Sequence, residues 1–465
     1  MSPRILKTMV CIFAALVLAT TEGKERTNVI LFLVDDLGWR DLSCQGSNYY
    51  QTPNIDQLAS NGVRFTQAYA AAAICSPTRA SILTGKYPAR LLLTQWLPAG
   101  RWAPRKNVKK EGRFLRSLPL EEFTLAEALR EADYRTIHVG KWHLGGAPFS
   151  LPEHHGFDVN VAGQDHGAPG SYFFPYEGSW KIPTTDLKVF KQTLPDGEPG
   201  EYLTERLTDE ALKHIGEEPF FLYFPYYAVH TPLQAKADKM ARYESIPEED
   251  RQGKPAYAAM VESVDDSVGR IMSRLRERKL LDETIIILTS DNGGFAGATS
   301  NLPLRANKGS HYEGGIRIPL LISGPGIRIG VVSETPVITN DLFPTILELA
   351  GVAPEANLPL DGKSLTGILK GNSGIEERSL FWHYPHYNQH PSSAPVSIIR
   401  RGDWKLIHFL ETGHEELYDL SRDSGEQNDV SGVSSEIVSS LRAELNEWKK
   451  DVGAEPMLPN PQYQP

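Results

Sequence analysis

Two pairs of hard-oxygen side chains stand immediately behind two short apolar runs. Asp35 and Asp36 follow Asn28–Val34 (NVILFLV), and Asp291 and Asn292 lie just beyond residues 284–288 (TIIIL). Neighbouring carboxylates within a strand point to opposite sides, but at a strand end the chain can bend and aim both at one place. Three carboxylates and an amide oxygen gathered there suit a hard cation, Ca²⁺ or Mg²⁺. Either pair alone would read as the acidic start of a polar loop; the two together point to a metal. A second constellation opens at Cys75, in Cys75-Ser76-Pro77-Thr78-Arg79-Ala80-Ser81-Ile82-Leu83-Thr84-Gly85. Pro77 suits the first turn of a helix that residues 80–83 continue, so Cys75 falls at a helix N-terminus, where free N–H groups and the dipole favour an anion. Arg79, one turn on, faces the same end and can hold another oxyanion oxygen. The chemistry is that of a nucleophile in an anion pocket, with a Cys44–Cys75 disulfide as the plain alternative.

Two lysines and two histidines extend the pattern. Lys141 and His143 stand in His138-Val139-Gly140-Lys141-Trp142-His143-Leu144-Gly145, His230 in Val229-His230-Thr231-Pro232, and Lys308 in Asn307-Lys308-Gly309. A lone histidine is usually a satisfied core residue, and Lys141 by itself could be a surface charge. Here the two lysines and two histidines fall after separate expected strands, Lys141 and His143 sharing one, on the side where the metal carboxylates lie.

The elements that would position them are legible in outline. Apolar, β-branched runs at Asn28–Val34, Arg135–Val139, 219–224, 284–288 and 318–323 suit strands buried on both faces. Helix-like segments at 120–132 and 257–279 alternate with them. The expectation is an α/β fold with a mostly parallel central sheet flanked by helices, whose strand-end polar residues face the ligand crevice. Residues 167–200, rich in Pro, Gly and aromatics, read as surface excursions. Beyond residue 375 the texture changes to short strands at 380–384, 396–400, Trp404–Phe409 and 416–420, with Arg401-Gly402-Asp403 as a hairpin turn and a helix at 437–449. This reads as a smaller C-terminal antiparallel sheet plus one helix, giving a catalytic unit over 24–375, a subdomain over 376–455 and a loose tail over 456–465.

Cys-x-Pro-x-Arg followed by Leu-Thr-Gly resembles the signature of the type I, formylglycine-dependent sulfatases of the alkaline phosphatase superfamily. The resemblance implies that Cys75 is oxidised to an aldehyde by a formylglycine-generating enzyme and works as its geminal diol. It implies one Ca²⁺ held by Asp35, Asp36, Asp291 and Asn292, with the modified Cys75 alongside. Arg79, Lys141 and Lys308 would neutralise sulfate oxygens, and His230, with Lys308 nearby, would protonate the leaving oxygen. His143 would take a proton from the second diol hydroxyl and so expel sulfate. Glu313-Gly314-Gly315-Ile316-Arg317-Ile318-Pro319 follows Lys308 as in the family, and the likeness runs from about residue 28 to 429. The pattern over 397–420 (SIIRRGDWKLI, then EELYDL) is similar to bacterial carbohydrate sulfatases, which implies a sulfated polysaccharide or oligosaccharide. Two other readings stand beside this one. Phosphatases and phosphonate or phosphodiester hydrolases share the fold but generally use two metals, where only a one-metal set is present here. A non-catalytic, calcium-dependent glycan-binding relative would not need Cys75, Arg79, Lys141, His143, His230 and Lys308 all intact.

Composition sets the surroundings. The 465 residues are 40% hydrophobic and 23% charged, as in an ordinary globular protein, and the net charge of -10 argues against nucleic acid as a partner. Arg4 and Lys7, an apolar run over 9–19 and small or polar residues over 20–23 read as a cleaved signal peptide, too short to span a bilayer. The expectation is a secreted or periplasmic protein with no membrane span in its mature chain. Of three cysteines, Cys11 leaves with that segment, and no N-x-[ST] sequon occurs. For the sugar itself, Trp96, Arg101, Trp102 and Arg105 could stack and pair, or could form a packed basic loop. His166, next to Asp165, and His311 are further candidates. His383, His386 and His390 read as loop residues, at best part of a substrate wall.

Overall fold

The structure is a computed structural model describing residues 26–97, 106–181, 187–190, 194, 196–216, 219–355 and 358–464. The expected signal segment, and with it Arg101, Trp102 and Arg105, lie outside the described residues.

The chain begins with β1 (Asn28–Val34), α1 (Pro53–Ser60), β2 (Gly62–Tyr69) and α2 (Cys75–Thr84). Next come β3 (Lys109–Lys110), α3 (Leu125–Glu131), β4 (Arg135–Val139), β5 (Val159–Val161) and a hairpin of β6 (Gly178–Lys181) and β7 (Leu187–Phe190). Then follow α4 (Leu203–His214), β8 (Phe220–Pro225), α5 (Ala237–Glu244), α6 (Pro255–Glu277) and β9 (Thr284–Ser290). After these stand α7 (Glu313–Ile316), β10 (Arg317–Ser323), β11 (Val331–Ser333), β12 (Val337–Ile338), α8 (Leu342–Ala350) and α9 (Thr366–Lys370). The last section holds β13 (Ser379–Tyr384), β14 (Val396–Arg401), β15 (Trp404–Phe409), β16 (Glu415–Asp419), α10 (Ser435–Asp451) and β17 (Leu458–Pro459).

The main sheet runs β11-β2-β10-β9-β1-β8-β4-β5, with β12 also paired to β2. All its pairings are parallel except those of β10, which runs against β2 and β9. β1, at the centre, shows why its sequence is apolar throughout. Ile30, Phe32 and Val34 enter one core with α1, α4 and α6; Val29, Leu31 and Leu33 enter another with α2, α3, α8 and α9. A strand covered on both faces has no solvent side to make polar. Each such side chain contributes about 1.5–3 kcal/mol by leaving water.

The C-terminal sheet, β13-β14-β15-β16, is antiparallel throughout. Its tight turn is the expected one: Arg401 pairs with Trp404, and Gly402 takes φ 57°. Val438, Leu441, Leu445 and Trp448 of α10 close a third core, which also takes in Ala71, Ala72, Ala73 and Ile74. The segment leading into Cys75 is therefore packed against the C-terminal sheet, and Trp382 Nε1 donates to Ala70 O at 2.8 Å.

Three details depart from the reading of the sequence. The helix expected over 120–132 starts only at Leu125, because Thr124 caps it: the Thr124 hydroxyl accepts from Glu127 N at 3.2 Å and Glu127 Oε2 from Thr124 N at 2.8 Å. β2 (GVRFTQAY) was not foreseen; it carries polar residues on a partly exposed face, so it lacks the apolar run of a doubly covered strand. In the C-terminal stretch read as a loose tail, Leu458 and Pro459 pair with Lys110 and Lys109.

Candidate active site

β1 and β9 are parallel neighbours with Val34 opposite Ser290, so Asp35–Asp36 and Asp291–Asn292 leave the sheet side by side. Asp36 turns the chain at φ 60°, a left-handed conformation that Asp tolerates better than most residues. Its amide is held by Asp291 Oδ1 at 3.2 Å. That turn brings two consecutive carboxylates to one point. Asn292 Nδ2 donates to Asp36 Oδ1 at 2.8 Å, which leaves Asn292 Oδ1 buried and without a partner. Cys75, the first residue of α2, completes the group: ligand atoms of Asp35, Asp36, Asp291 and Cys75 all lie within 4.8 Å of one another. The Cys75 thiol is 3.5 Å from Asp35 Oδ1 and is not in a disulfide; Cys44 is free as well.

The cations close round these carboxylates. Arg79 donates from Nε and Nη2 to Asp291 Oδ2 at 2.9 and 2.8 Å, and from Nη1 to Lys141 O at 2.9 Å. Lys141 Nζ pairs with Asp35 Oδ2, and Lys308 Nζ lies 2.6 and 2.8 Å from the two oxygens of Asp36. Lys141 reaches this place because Gly140, at φ 119°, lets the chain pass Pro225: a Cβ there would meet Pro225 O at 2.1 Å. Lys141 N then donates to Pro225 O at 2.7 Å.

The two histidines are held differently. His143 Nε2 bonds to Leu97 O, while its Nδ1 is buried without a partner. With Nε2 carrying the proton, Nδ1 is left as an unengaged base. A Cβ on Gly167 would sit 2.6 Å from the His143 ring, so the 164–167 loop closes over it. His230 Nδ1 meets Thr231 O at 2.8 Å, which turns Nε2 toward Asp36 Oδ2 at 3.8 Å.

Electrostatically the cluster is crowded. Burial, then Asp291, pushes Asp35 up to about 7 in spite of Lys141. Burial would also raise Asp36, but Lys308 and then His230 outweigh it and hold Asp36 well below the carboxylate range. Burial, then Asp291 and Asp35, pushes the Cys75 thiol up, so an unmodified Cys75 is a protonated, weak nucleophile. His143 is held well below its usual range by burial, Lys141 and Arg79, and His230 by burial and Lys308. Three carboxylates face three cations here. The spare Asn292 oxygen and the mutual repulsion of the carboxylates both fit a hard divalent cation, which would leave the pocket positive.

The structure thus brings Asp35, Asp36, Cys75, Arg79, Lys141, His143, His230, Asp291, Asn292 and Lys308 into one buried pocket. Of the sugar-binding candidates, His166 lies on the loop covering His143, with Nδ1 3.0 Å from Asp165 Oδ1. His311 is 5% exposed and packs on Tyr384, in the seam with the C-terminal sheet. Two histidines read as loop residues prove to be packed ones. His383 lies within β13, bonded to Ser397 Oγ and Glu455 O at 2.7 and 2.8 Å, and His386 bonds to Thr94 Oγ1 at 2.8 Å. His390 does lie in a loop, and that loop folds back toward Lys308. His390 sits on Gly309, faces Phe295 at 6.0 Å, and is pushed down to about 4 by burial and Lys308. Its only local signal was an aromatic, His-rich loop.

Residues 27–352 match the family model described as sulfatase, and residues 306–451 one described as N-sulphoglucosamine sulphohydrolase, C-terminal. A sulfatase of Formosa agariphila is 32% identical over 480 residues, covering 88% of this chain and 85% of that one. Human arylsulfatase A is 34% identical, covering 89% and 86%. The solved structure of Ps i-CgsB in complex with k-i-k-neocarrahexaose superposes with a TM-score of 0.74 at 30% identity, over 92% of this chain and 93% of that one.

Proposed function

The chain belongs to the sulfatase family, enzymes that hydrolyse sulfate esters, and on that premise we propose that it desulfates a sulfated glycan with a formylglycine at position 75 and one Ca²⁺. The observation that carries the mechanism is the place of Cys75: at a helix N-terminus among Arg79, Lys141 and Lys308 it is set for an anion, and its sulfur lies in the carboxylate cluster, 3.5 Å from Asp35 Oδ1, where burial and two carboxylates push the thiol up. A hydrated aldehyde at the same position supplies hydroxyls instead of a thiol. The glycan is supported by the neocarrahexaose bound in the related Ps i-CgsB.

Asp35, Asp36, Asp291 and Asn292 would hold the ion, which would supply positive charge toward the sulfate oxygens. Arg79, Lys141 and Lys308 orient the sulfate group and neutralise its outer oxygens. One diol hydroxyl gives its proton to the Asp35 carboxylate, whose Oδ1 lies 3.5 Å from the Cys75 sulfur, and its oxygen attacks sulfur in line as the bond from sulfur to the sugar oxygen breaks. His230 Nε2 gives that leaving oxygen its proton; the arriving sulfate charge raises the pKa of His230, so the proton is available when needed. Sulfate is now esterified to residue 75. His143 Nδ1 then removes the proton of the remaining hydroxyl, the bond to the sulfate oxygen breaks, and the aldehyde returns. Maturation requires a formylglycine-generating enzyme. The N-terminal segment supports export to the periplasm or beyond, which N-terminal sequencing of the secreted protein would test.

The decisive experiment is mass spectrometry of the Cys75 peptide. We expect an aldehyde in place of the thiol, in a fraction that rises in step with specific activity when a maturation enzyme is co-expressed. Cys75→Ser keeps an attacking hydroxyl and loses the second, so it should react once and retain a sulfate ester at residue 75. Fully active enzyme with unmodified Cys75 would refute the mechanism.

A further inference from the structure

This acidic chain does not spread its cations evenly. Seven of its 48 Lys and Arg fall within residues 101–116, against one of its 58 Asp and Glu. In the described part of that stretch Lys106, Lys110 and Arg116 are exposed and Lys109 is half-buried. Arg113 is paired with Glu455; the other four have no ion-pair partner among the described residues. Lys109 and Lys110 form β3, and beside that strand lies a hollow of 230 Å³ walled on its far side by Asn460 and Gln462.

A run of charge is most often only a solvated face. This one is tied to the active site at both ends. Leu97, before it, carries the carbonyl bonded to His143, and Leu118, after it, donates its N–H to Leu144 O at 2.8 Å. In its middle, Gly112 N bonds to Pro385 O at 3.0 Å and Lys109 N to Tyr387 Oη at 3.3 Å. Tyr387 is three residues, at most about 11 Å of chain, from His390, which rests on Gly309 beside Lys308.

We propose that Lys106, Lys109, Lys110 and Arg116 form a binding surface for the remainder of a sulfated polymer, outside the ring whose ester is cleaved. The proposal rests on the sulfatase reading and adds where the rest of the substrate runs. Unpaired cations displace the counterions of a polyanion, so affinity grows with chain length and falls with salt. The acidic remainder of the surface repels the same polymer and confines it to the strip.

The test uses dextran sulfate of graded length as ligand, with uncharged dextran as control, and hydrolysis of a small aryl sulfate as a measure of the matured site. Wild type should bind longer dextran sulfate more tightly and lose affinity as salt rises. The variant Lys106→Glu, Lys109→Glu, Lys110→Glu, Arg116→Glu should bind about tenfold more weakly at low salt, with a flatter salt dependence. Its kcat/KM for the aryl sulfate should be unchanged. The milder pair Lys110→Gln, Arg116→Gln, which preserves the fold most safely, should move binding the same way by less. Unchanged dextran sulfate binding in both variants would overturn the proposal, as would wild-type binding of duplex DNA as tight as that of dextran sulfate. Failure of matured wild type to hydrolyse any sulfate ester is a separate result: it would overturn the sulfatase reading and this proposal with it.

Discussion

Two of the places where the protein buries ionic groups treat them in opposite ways. Around Cys75, Asp35, Asp36 and Asp291 meet Arg79, Lys141 and Lys308, yet Asn292 Oδ1 has no partner and the carboxylates crowd one another. In the seam between α7 and the C-terminal sheet, Lys405 Nζ stands 3.0 Å from Glu313 Oε1 and 2.8 Å from Glu426 Oε1. Tyr69 donates to the second oxygen of Glu313 at 2.7 Å, and the Glu313 N–H to the second oxygen of Glu426 at 2.6 Å. Arg400 pairs with the Tyr69 hydroxyl. Three of the seam's four carboxylate oxygens accept hydrogen bonds from within the chain, and the fourth, Glu426 Oε1, has no hydrogen bond but faces the Lys405 ammonium. A cluster closed in this way joins elements; one left with a spare acceptor and surplus repulsion is built to receive something from outside. The difference separates two residues of one sequence motif: in the stretch from Asn307 to Pro319, Lys308 pairs with Asp36 in the open cluster while Glu313 pairs with Lys405 of the C-terminal sheet.

The comparison breaks if the two clusters respond alike to mutation. The largest effect is expected from Asp291→Asn. It keeps shape and most hydrogen bonds but removes one carboxylate from the open cluster. Activity should fall by a factor on the order of 10³, and the rise in Tm that Ca²⁺ gives the wild type should disappear, while the unfolding midpoint in chelator changes little. A variant still stabilised by Ca²⁺ to the wild-type extent would remove Asp291 from the ion site.

Lys405→Met should do the reverse. It leaves two buried carboxyls facing each other without the cation between them, Arg317 reaching only Glu313 at 3.7 Å, at a cost of about 3–5 kcal/mol. Urea unfolding should register that loss in full. Activity per folded molecule, and the Ca²⁺-dependent rise in Tm, should stay near wild type because no group of the open cluster touches Lys405. A loss of activity exceeding the loss of folded protein would show that the seam also tunes the site.

How much of this was legible beforehand follows from where the information lies. β1, β4, β8, β9 and β10 were readable because a strand covered on both faces must be apolar, and the meeting of Asp35, Asp36, Asp291 and Asn292 because polar residues at such strand ends face one crevice. Cys75 and Arg79 were readable because spacing within one helix turn is local. His390 was not: it gains its place from a loop of the C-terminal part folding onto Gly309, a contact between distant residues with no local pattern. The Lys405–Glu313–Glu426 seam escaped notice for the same reason, as did the pairing of Leu458–Pro459 with β3. The assignment of His383 to a loop failed because β13 takes it in, whereas His386 does lie in a loop, one that packing buries.

The smallest effect is the most specific test of how the seam is closed. Burial, and then Glu313 against the pull of Lys405, raises Glu426 to about 7, whereas Glu313 is lowered because Lys405, Arg317 and Arg400 outweigh its burial. Between about pH 4.5 and 7 the folded protein therefore keeps a proton on Glu426 that the unfolded chain has released. Stability from this group is complete below that window and declines as pH rises through it. Glu313 acts in the opposite sense and lower down, where its contribution is lost as pH falls through its depressed value. Glu426→Gln remains neutral throughout, so its unfolding free energy should lose a decline on the order of 1–3 kcal/mol between pH 5 and 7.5. Asp35, raised to about 7 in the metal-free cluster, would be drawn down by a bound Ca²⁺, so the open cluster must be kept in one state. The measured quantity is thus the difference between wild type and variant at fixed Ca²⁺. Urea midpoints at pH 5 and 7.5 supply it, and parallel pH profiles for the two proteins would mean that Glu426 is ionised across the whole range, with Lys405 shared equally between its two carboxylates.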